Sequence, residues 1–267
     1  MKACRVILGL SLLLLAGQAF AGVYDELQAT TCKVQSGDGT GTGVLVTRQV
    51  GHATRTWVWT AAHVVQDLRQ PDGTFRNATV SQEYRDGGRQ IGGCKIEAKV
   101  VAYSDPDTGE DLALLEVLQD DWRPTSVSAK FDLTASIQPV GTKLVHVGCG
   151  LGFESLSLGI VSQTDVQPPQ TGKRFDQTTL PAYPGCSGGG VYLEDGRYVG
   201  MLTLGAGPGL NFIIPMRRIV PWAKKMGIAW ALDPALPVSP IVDRESSVTR
   251  ESSEAGILTD SATAEAE

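Results

Sequence analysis

Short apolar runs, broken every few residues by turn-forming residues, limit what this chain can fold into. "GTGVLVTR", "TWVWTAAHVV", "CKIEAKVVAY", "LALLEVL", "TKLVHVG", "GIVSQT", "GGVYLEDGRYVGMLTLG" and "NFIIPM" are rich in Val, Leu, Ile and aromatics, and Gly, Asp and Pro bound them. Runs of this length and composition read as strands. Asp195-Gly196 in "LEDGRYVG" is a hairpin turn signal. Helical periodicity is confined to a turn after His63 and to "RRIVPWAKKMGI" near the C-terminal end. The expected class is all-β, a barrel or a sandwich.

The two ends differ from this body. Residues 1–21 carry Lys2 and Arg5, then an apolar run from Val6 to Leu15, then Ala19-Phe20-Ala21. That is the pattern of a secretory signal cleaved near Ala21, and the run is too short to span a bilayer. The expectation is a secreted or periplasmic protein with no membrane span in the mature chain. Residues 232–267 hold eight acidic residues against two arginines, with Ser, Thr, Ala and Pro between them. Such a segment buries too little surface to offset its ordering entropy, so a disordered acidic tail is expected. The body, 22–231, carries little of the net charge of −6. It shows no basic footprint for nucleic acid.

Chemistry concentrates in "PAYPGCSGGGVYLEDG", where Cys186 and Ser187 sit side by side among glycines. Gly185-Cys186-Ser187-Gly188-Gly189 formally fits the nucleophile elbow of α/β-hydrolases, which needs a histidine after the serine. His52, His63 and His146 all precede Ser187, so that reading fails on chain order. The order His63, Asp111, Ser187 survives. A serine hydroxyl is a weak nucleophile and needs an adjacent base. An imidazole can take its proton and return it to the leaving group, while a carboxylate fixes the ring and steadies the imidazolium. A tight glycine turn can bring the backbone N–H groups of Gly185 and Ser187 to one point, where an oxyanion develops.

"TAAH", "DLALLEV" and "GCSGGG", in this order, resemble the trypsin-like serine proteases of the chymotrypsin fold, and the bacterial HtrA/Deg-type branch in particular. "GTGTGVLVT", "HVGCGLG", "GGGVYLEDGRYVGMLT" and "GLNFIIP" extend the resemblance over about residues 30–220. It implies two six-stranded antiparallel β-barrels within 22–231, joined at about 118–138, with a short C-terminal helix. It implies a triad of His63, Asp111 and Ser187 at their junction. It also places Pro181 at the base of the substrate pocket and Thr203, Leu204, Gly205 and Leu210 along its walls, which suggests small or medium apolar side chains. Gly190 stands where the family usually has proline, and Cys186 where it often has Asp or Asn. No PDZ domain is expected in this chain.

After the signal, Cys32, Cys94, Cys149 and Cys186 remain, an even number in an oxidising compartment. The resemblance puts Cys149 in a loop beside the pocket, so a Cys149–Cys186 disulfide would brace the oxyanion turn and Cys32 would pair with Cys94. Free thiols are the alternative. Cys186 as the nucleophile is disfavoured, because Ser187 already holds the position between the glycines. His146, alternating with Leu144 and Val147, reads as a core residue, and His52 as a solvated turn residue. Asp105 and Asp107 compete with Asp111 from a nearby loop. Asn77-Ala78-Thr79 is a glycosylation sequon with meaning only in a eukaryotic secretory pathway. "SGDGTGTG" lacks the lysine of a phosphate loop. No His/Cys spacing fits zinc, and no cofactor is expected. The reading is a serine endopeptidase acting on protein or peptide substrates, with oligomeric state open. The alternative is a silent or latent protease-fold protein that binds peptides or a partner along a strand edge.

Overall fold

The computed structural model describes residues 22–86, 89–168, 171–207 and 209–239. The expected signal peptide and most of the acidic segment lie outside them. The chain opens with a helix over residues 22–29, here α1, which composition did not foresee. Six strands follow: β1 (Thr31–Ser36), β2 (Gly39–Val50), β3 (Ala53–Ala61), β4 (Ala78–Asp86), β5 (Arg89–Ser104) and β6 (Leu112–Val117). They close into one barrel in the order β1-β2-β3-β6-β5-β4. One turn of helix, α2 (Ala62–Val65), leaves β3 and carries His63.

The second half contributes β7 (Lys130–Phe131), β8 (Lys143–Gly148), β9 (Ser155–Val166), β10 (Phe175–Thr178), β11 (Gly190–Tyr192), β12 (Arg197–Gly205) and β13 (Asn211–Pro215). The order β11-β8-β9-β10-β13-β12 closes through a β11–β12 pairing into a second six-stranded antiparallel ring, with β7 added parallel to β12. The expected all-β, two-barrel architecture is thus what the chain adopts. The C-terminal helix, α3 (Met216–Lys225), follows β13 directly.

The barrels share one apolar core. Phe131 lies 4.8 Å from Tyr198 and 6.4 Å from Trp59, ring centre to ring centre, so aromatic packing runs from one barrel into the other. A smaller cluster fills the second barrel: Leu144, Val161, Leu180, Cys186, Val191, Val199, Leu202 and Ile213.

Each end of the chain crosses to the opposite barrel. α1 precedes the first barrel, yet Val23 and Leu27 reach toward Gly196 of the second, and Lys130 bonds Glu26 at 2.7 Å. The C-terminal segment leaves the second barrel and packs on the first. Trp230 meets Trp57 edge-on at 4.6 Å, and Trp222 meets Trp59 at 5.8 Å. The Arg48 guanidinium on β2 donates to the carbonyls of Trp230, Asp233, Pro234 and Leu236. Ordered chain therefore runs past residue 231, where the composition changes, because one cation satisfies four carbonyls.

The expected disulfides are not formed: Cys32, Cys94, Cys149 and Cys186 are all free. Strand order explains the first pair. β4 lies between β1 and β5, with Lys33 opposite Ser81 and Gln82 opposite Cys94. Cys32 and Cys94 are therefore two strand spacings apart, roughly 9–10 Å, beyond the Cα reach of a disulfide. Cys149 and Cys186 are neighbours whose side chains part. Cys186 packs into the second barrel's interior, while Cys149 lines a cavity of about 300 Å³ with Lys33, Gln82 and Cys94 of the first.

Trp230, 2 % exposed, is the keystone of the C-terminal crossing. Trp230→Ala is expected to cost about 3–5 kcal/mol, measured as a lower urea midpoint with an unchanged slope.

Candidate active site

The site forms where β2, α2 and the β5–β6 loop of the first barrel meet the 183–190 turn and β12 of the second. Asp111 immediately precedes β6 and adopts φ 57°, a left-handed conformation that aspartate tolerates better than most residues. The hydrogen bond from Ala62 N–H to its carbonyl ties it to the start of α2. Its Oδ1 accepts the His63 backbone N–H at 2.9 Å, and Nδ1 of the ring lies 3.1 and 3.0 Å from the two carboxylate oxygens. Facing a carboxylate, Nδ1 carries the proton, so Nε2 is left as the basic nitrogen. Burial pushes the Asp111 carboxyl upward, but the bonds and charge of His63 and the Thr203 hydroxyl outweigh it, and the pKa ends below the ordinary value. Asp105 instead caps its own loop, accepting the N–H groups of Asp107 and Thr108.

Thr203 on β12 links the two halves of the site. Its hydroxyl donates to Asp111 Oδ2 at 2.6 Å, and its carbonyl accepts the Ser187 hydroxyl at 3.3 Å. The sequence suggested a wall position for Thr203; its side chain is bonded to the Asp111 carboxylate. Among the described residues no hydrogen bond joins Ser187 Oγ to His63; the hydroxyl is bonded to the Thr203 carbonyl.

The turn before the serine has Pro184 second, Gly185 third at φ 96°, and a Cys186 N–H to Tyr183 carbonyl bond of 2.9 Å. This is the pattern of a type II turn. The Pro184 carbonyl is held by the N–H of Leu151 at 2.8 Å. In a trans peptide the N–H opposes the C=O, so the Gly185 N–H points away from the 150–152 loop. Among the described residues the chain offers no acceptor to the N–H of Gly185 or Ser187. Gly188, at φ 87°, has its missing Cβ position filled by the Thr42 carbonyl, the Thr60 hydroxyl and the Ala61 nitrogen, so no side chain fits there.

Thr42, which sequence reasoning did not single out, clasps this turn from the first barrel. Its N–H donates to the Ser187 carbonyl at 2.8 Å and its hydroxyl to the Gly185 carbonyl at 2.6 Å. The same hydroxyl accepts the Cys149 N–H at 2.8 Å. The only signal in sequence was a threonine inside a glycine-rich strand.

Burial raises the pKa of Cys186, so its thiol stays protonated among apolar neighbours. Burial likewise pushes Cys149 up to about 12. Neither is an activated nucleophile. Of the other expected pocket residues, Pro181 is partly exposed, and Leu204, Gly205 and Leu210 are exposed. Gly205 approaches residue 182 closely: a Cβ on Gly205 would lie 3.1 Å from the Ala182 methyl. Asn211, also not foreseen, is buried here, with Nδ2 donating to the Leu180 carbonyl at 2.6 Å. His52 is exposed in the β2–β3 turn, and His146 is buried under the glycines that follow the serine. No group of His, Cys, Asp or Glu among the described residues could hold a metal ion. No helix among them is long and apolar enough to cross a membrane.

Comparison with known proteins agrees with this architecture. No curated protein matches in sequence. Among solved structures, Deg5 aligns with a TM-score of 0.59 at 22% identity, over 82% of this chain and 98% of that one. An inactive mutant of Rv3671c from M. tuberculosis aligns at 0.57 and 21% identity, over 81% and 93%. The HtrA-type protease AlgW, solved with a tripeptide, aligns at 0.57 and 18% identity, over 79% and 63%. These likenesses concern the fold. The sequence model of the trypsin-like peptidase domain matches residues 41–201, which spans Thr42, His63, Asp111 and Ser187, and the chain belongs to that family.

Proposed function

We propose that this protein is an exported serine endopeptidase in which Ser187 attacks the peptide carbonyl. His63 Nε2 takes the serine proton and returns it to the leaving amine, while Asp111 keeps the ring oriented and stabilises the imidazolium. The N–H groups of Gly185 and Ser187 receive the oxyanion, and water then hydrolyses the acyl-enzyme through the same base. The observation that carries the reading is the grip of Asp111 on His63, with both carboxylate oxygens against Nδ1 and Thr203 bonded behind them. A ring so fixed has Nε2 left as its free nitrogen, the atom a general base needs. Export rests on the signal-like pattern of residues 1–21. The close approach of Gly205 to Ala182 favours a small side chain before the scissile bond.

A second reading, a latent enzyme or peptide-binding protein, has one observation in its favour: the Ser187 hydroxyl is bonded to the Thr203 carbonyl. The two readings separate on a fluorophosphonate probe, with the adduct mapped by mass spectrometry. Labelling of Ser187 in the mature protein, lost in Ser187→Ala and retained in Cys186→Ala, is the expected result. A folded protein that resists the probe is latent or silent.

Asp111→Asn is expected to leave the fold intact and lower kcat by about 10³–10⁴-fold, because an amide in that place no longer favours the required tautomer. Removing the Thr42 hydroxyl with Thr42→Val takes the partner from the half-buried Gly185 carbonyl and the buried Cys149 N–H, at about 1–3 kcal/mol for the buried group. Peptide hydrolysis by this variant is expected to lose kcat more than KM, with Thr42→Ser recovering most of it. Because the folded pKa of Asp111 lies below its unfolded value, the unfolded chain binds that proton more tightly. The carboxylate's contribution to stability is therefore complete above the unfolded value near 3.8, and is lost as the pH falls through the folded one. Urea titrations across this range should show a shallower acid limb for Asp111→Asn than for wild type.

A further inference from the structure

The serine turn is held from the first barrel by Thr42; its other side rests on His146. This histidine sits on β8, opposite Val191 of β11 and Ser157 of β9, and is 2 % exposed. Its Nδ1 lies 2.9 Å from the Gly190 carbonyl, which can only accept, so Nδ1 carries a proton and donates it. Its Nε2 is buried without a partner among the described residues. The ring lies between two backbone segments. A Cβ on Gly148 would come within 2.5 Å of Nε2, and a Cβ on Gly189 within 2.6 Å of Cε1. Gly148 leads into the loop whose Leu151 N–H holds the Pro184 carbonyl, and Gly189 returns its own N–H to the Cys186 carbonyl at 3.0 Å.

We propose that His146 is a positioning residue for the serine turn: its imidazole spaces Gly148 from Gly189 and fixes the Gly190 carbonyl, holding the Gly185–Ser187 segment in the geometry that receives an oxyanion. A leucine would supply bulk but no donor, and would remove the imidazole's bond to the Gly190 carbonyl. The glycines on both faces of the ring fit this assignment, since any larger residue would displace it. Gly190 also supplies no ring of its own to stiffen the turn, where a proline would. The ladder sets the imidazole beside Ser157 of β9 and Val191 of β11, with Gly148 and Gly189 against the ring. The Cys186 thiol of the turn is kept neutral by burial. Burial also pushes His146 down to about 4, so the ring is neutral at ordinary pH and can hold the single-donor tautomer the geometry requires.

The inference rests on the serine protease reading for its kinetic consequence, and a second readout is independent of it. Full-length mature wild type, His146→Leu and His146→Asn are compared; the asparagine amide can donate where Nδ1 does. The fluorophosphonate labelling rate of Ser187 and peptide kcat are expected to fall about ten- to a hundredfold in His146→Leu with KM little changed, the scale of a small misplacement of reacting groups. His146→Asn is expected to recover most of the loss. Equal rates in wild type and His146→Leu, or equal losses in both variants, would overturn the assignment. Hydrogen exchange over residues 185–190 is read in parallel, with protection expected in wild type and His146→Asn and lost in His146→Leu. If wild type takes no probe, the protease reading fails, and the exchange pattern alone decides: protection that is the same in all three proteins overturns the positioning role. If His146→Leu does not fold, nitrogen NMR of histidine-labelled wild type decides, with a slowly exchanging Nδ1–H expected and a proton on Nε2 overturning the assignment.

Discussion

The active geometry hangs on one threonine. Thr42 belongs to the first barrel, yet all three of its polar contacts described above reach segments of the second: the Ser187 carbonyl, the Gly185 carbonyl and the Cys149 N–H. The hydroxyl acts as acceptor and donor at once, so it ties the loop at 149–152 to the serine turn while its own strand stays in the barrel ladder. Backbone groups at that turn have no sheet to satisfy them, and unpaired buried groups are costly. The bonds to Thr42 let an irregular turn exist in the interior and fix its position relative to His63 on the neighbouring element.

A second constraint is electrostatic. Asp111 is buried, in a left-handed backbone conformation, and its pKa stays below the ordinary value because His63 and Thr203 donate to it against the effect of burial. His63 comes from the first barrel and Thr203 from the second, so the carboxylate's partners are complete only when the barrels are docked. The buried thiols show the opposite outcome. Cys149 and Cys186 lie at the same turn, and there burial outweighs the groups that favour a thiolate and holds them in the protonated form. Serine and cysteine side by side thus fall into different roles through environment: one hydroxyl faces the junction, one thiol faces an apolar interior.

What could be read from sequence follows the range of the interaction. Strands were legible because alternation and turn residues are local, and the two-barrel expectation came from ordered motifs. The residue types of a triad were legible in "TAAH", "DLALLEV" and "GCSGGG", and the structure does set His63 against Asp111. Thr42, Thr203, Asn211 and His146 were not, since each acts on a partner tens of residues away that no local pattern marks. Thr203 reaches 92 residues to Asp111, and Thr42 reaches 143 to Gly185. The cysteine pairing failed for a related reason. Parity suggests bridges, but whether two cysteines lie within bonding distance is decided by strand order, and β4 between β1 and β5 keeps Cys32 from Cys94. α1 escaped notice because its eight residues lean on the second barrel rather than on a periodic pattern of their own.

The crossing of the chain ends has a consequence for how such a molecule comes apart. α1 begins the first barrel but rests on the second, and the segment through Trp230 and Leu236 ends the second but is fastened to the first by Arg48. A cut in the connection between the barrels would therefore not free two self-sufficient halves. Each fragment would carry the strap that belongs on the other and leave its own docking surface bare. Such halves are built to find one another again, and the serine turn, assembled from both, would return only with the reunion.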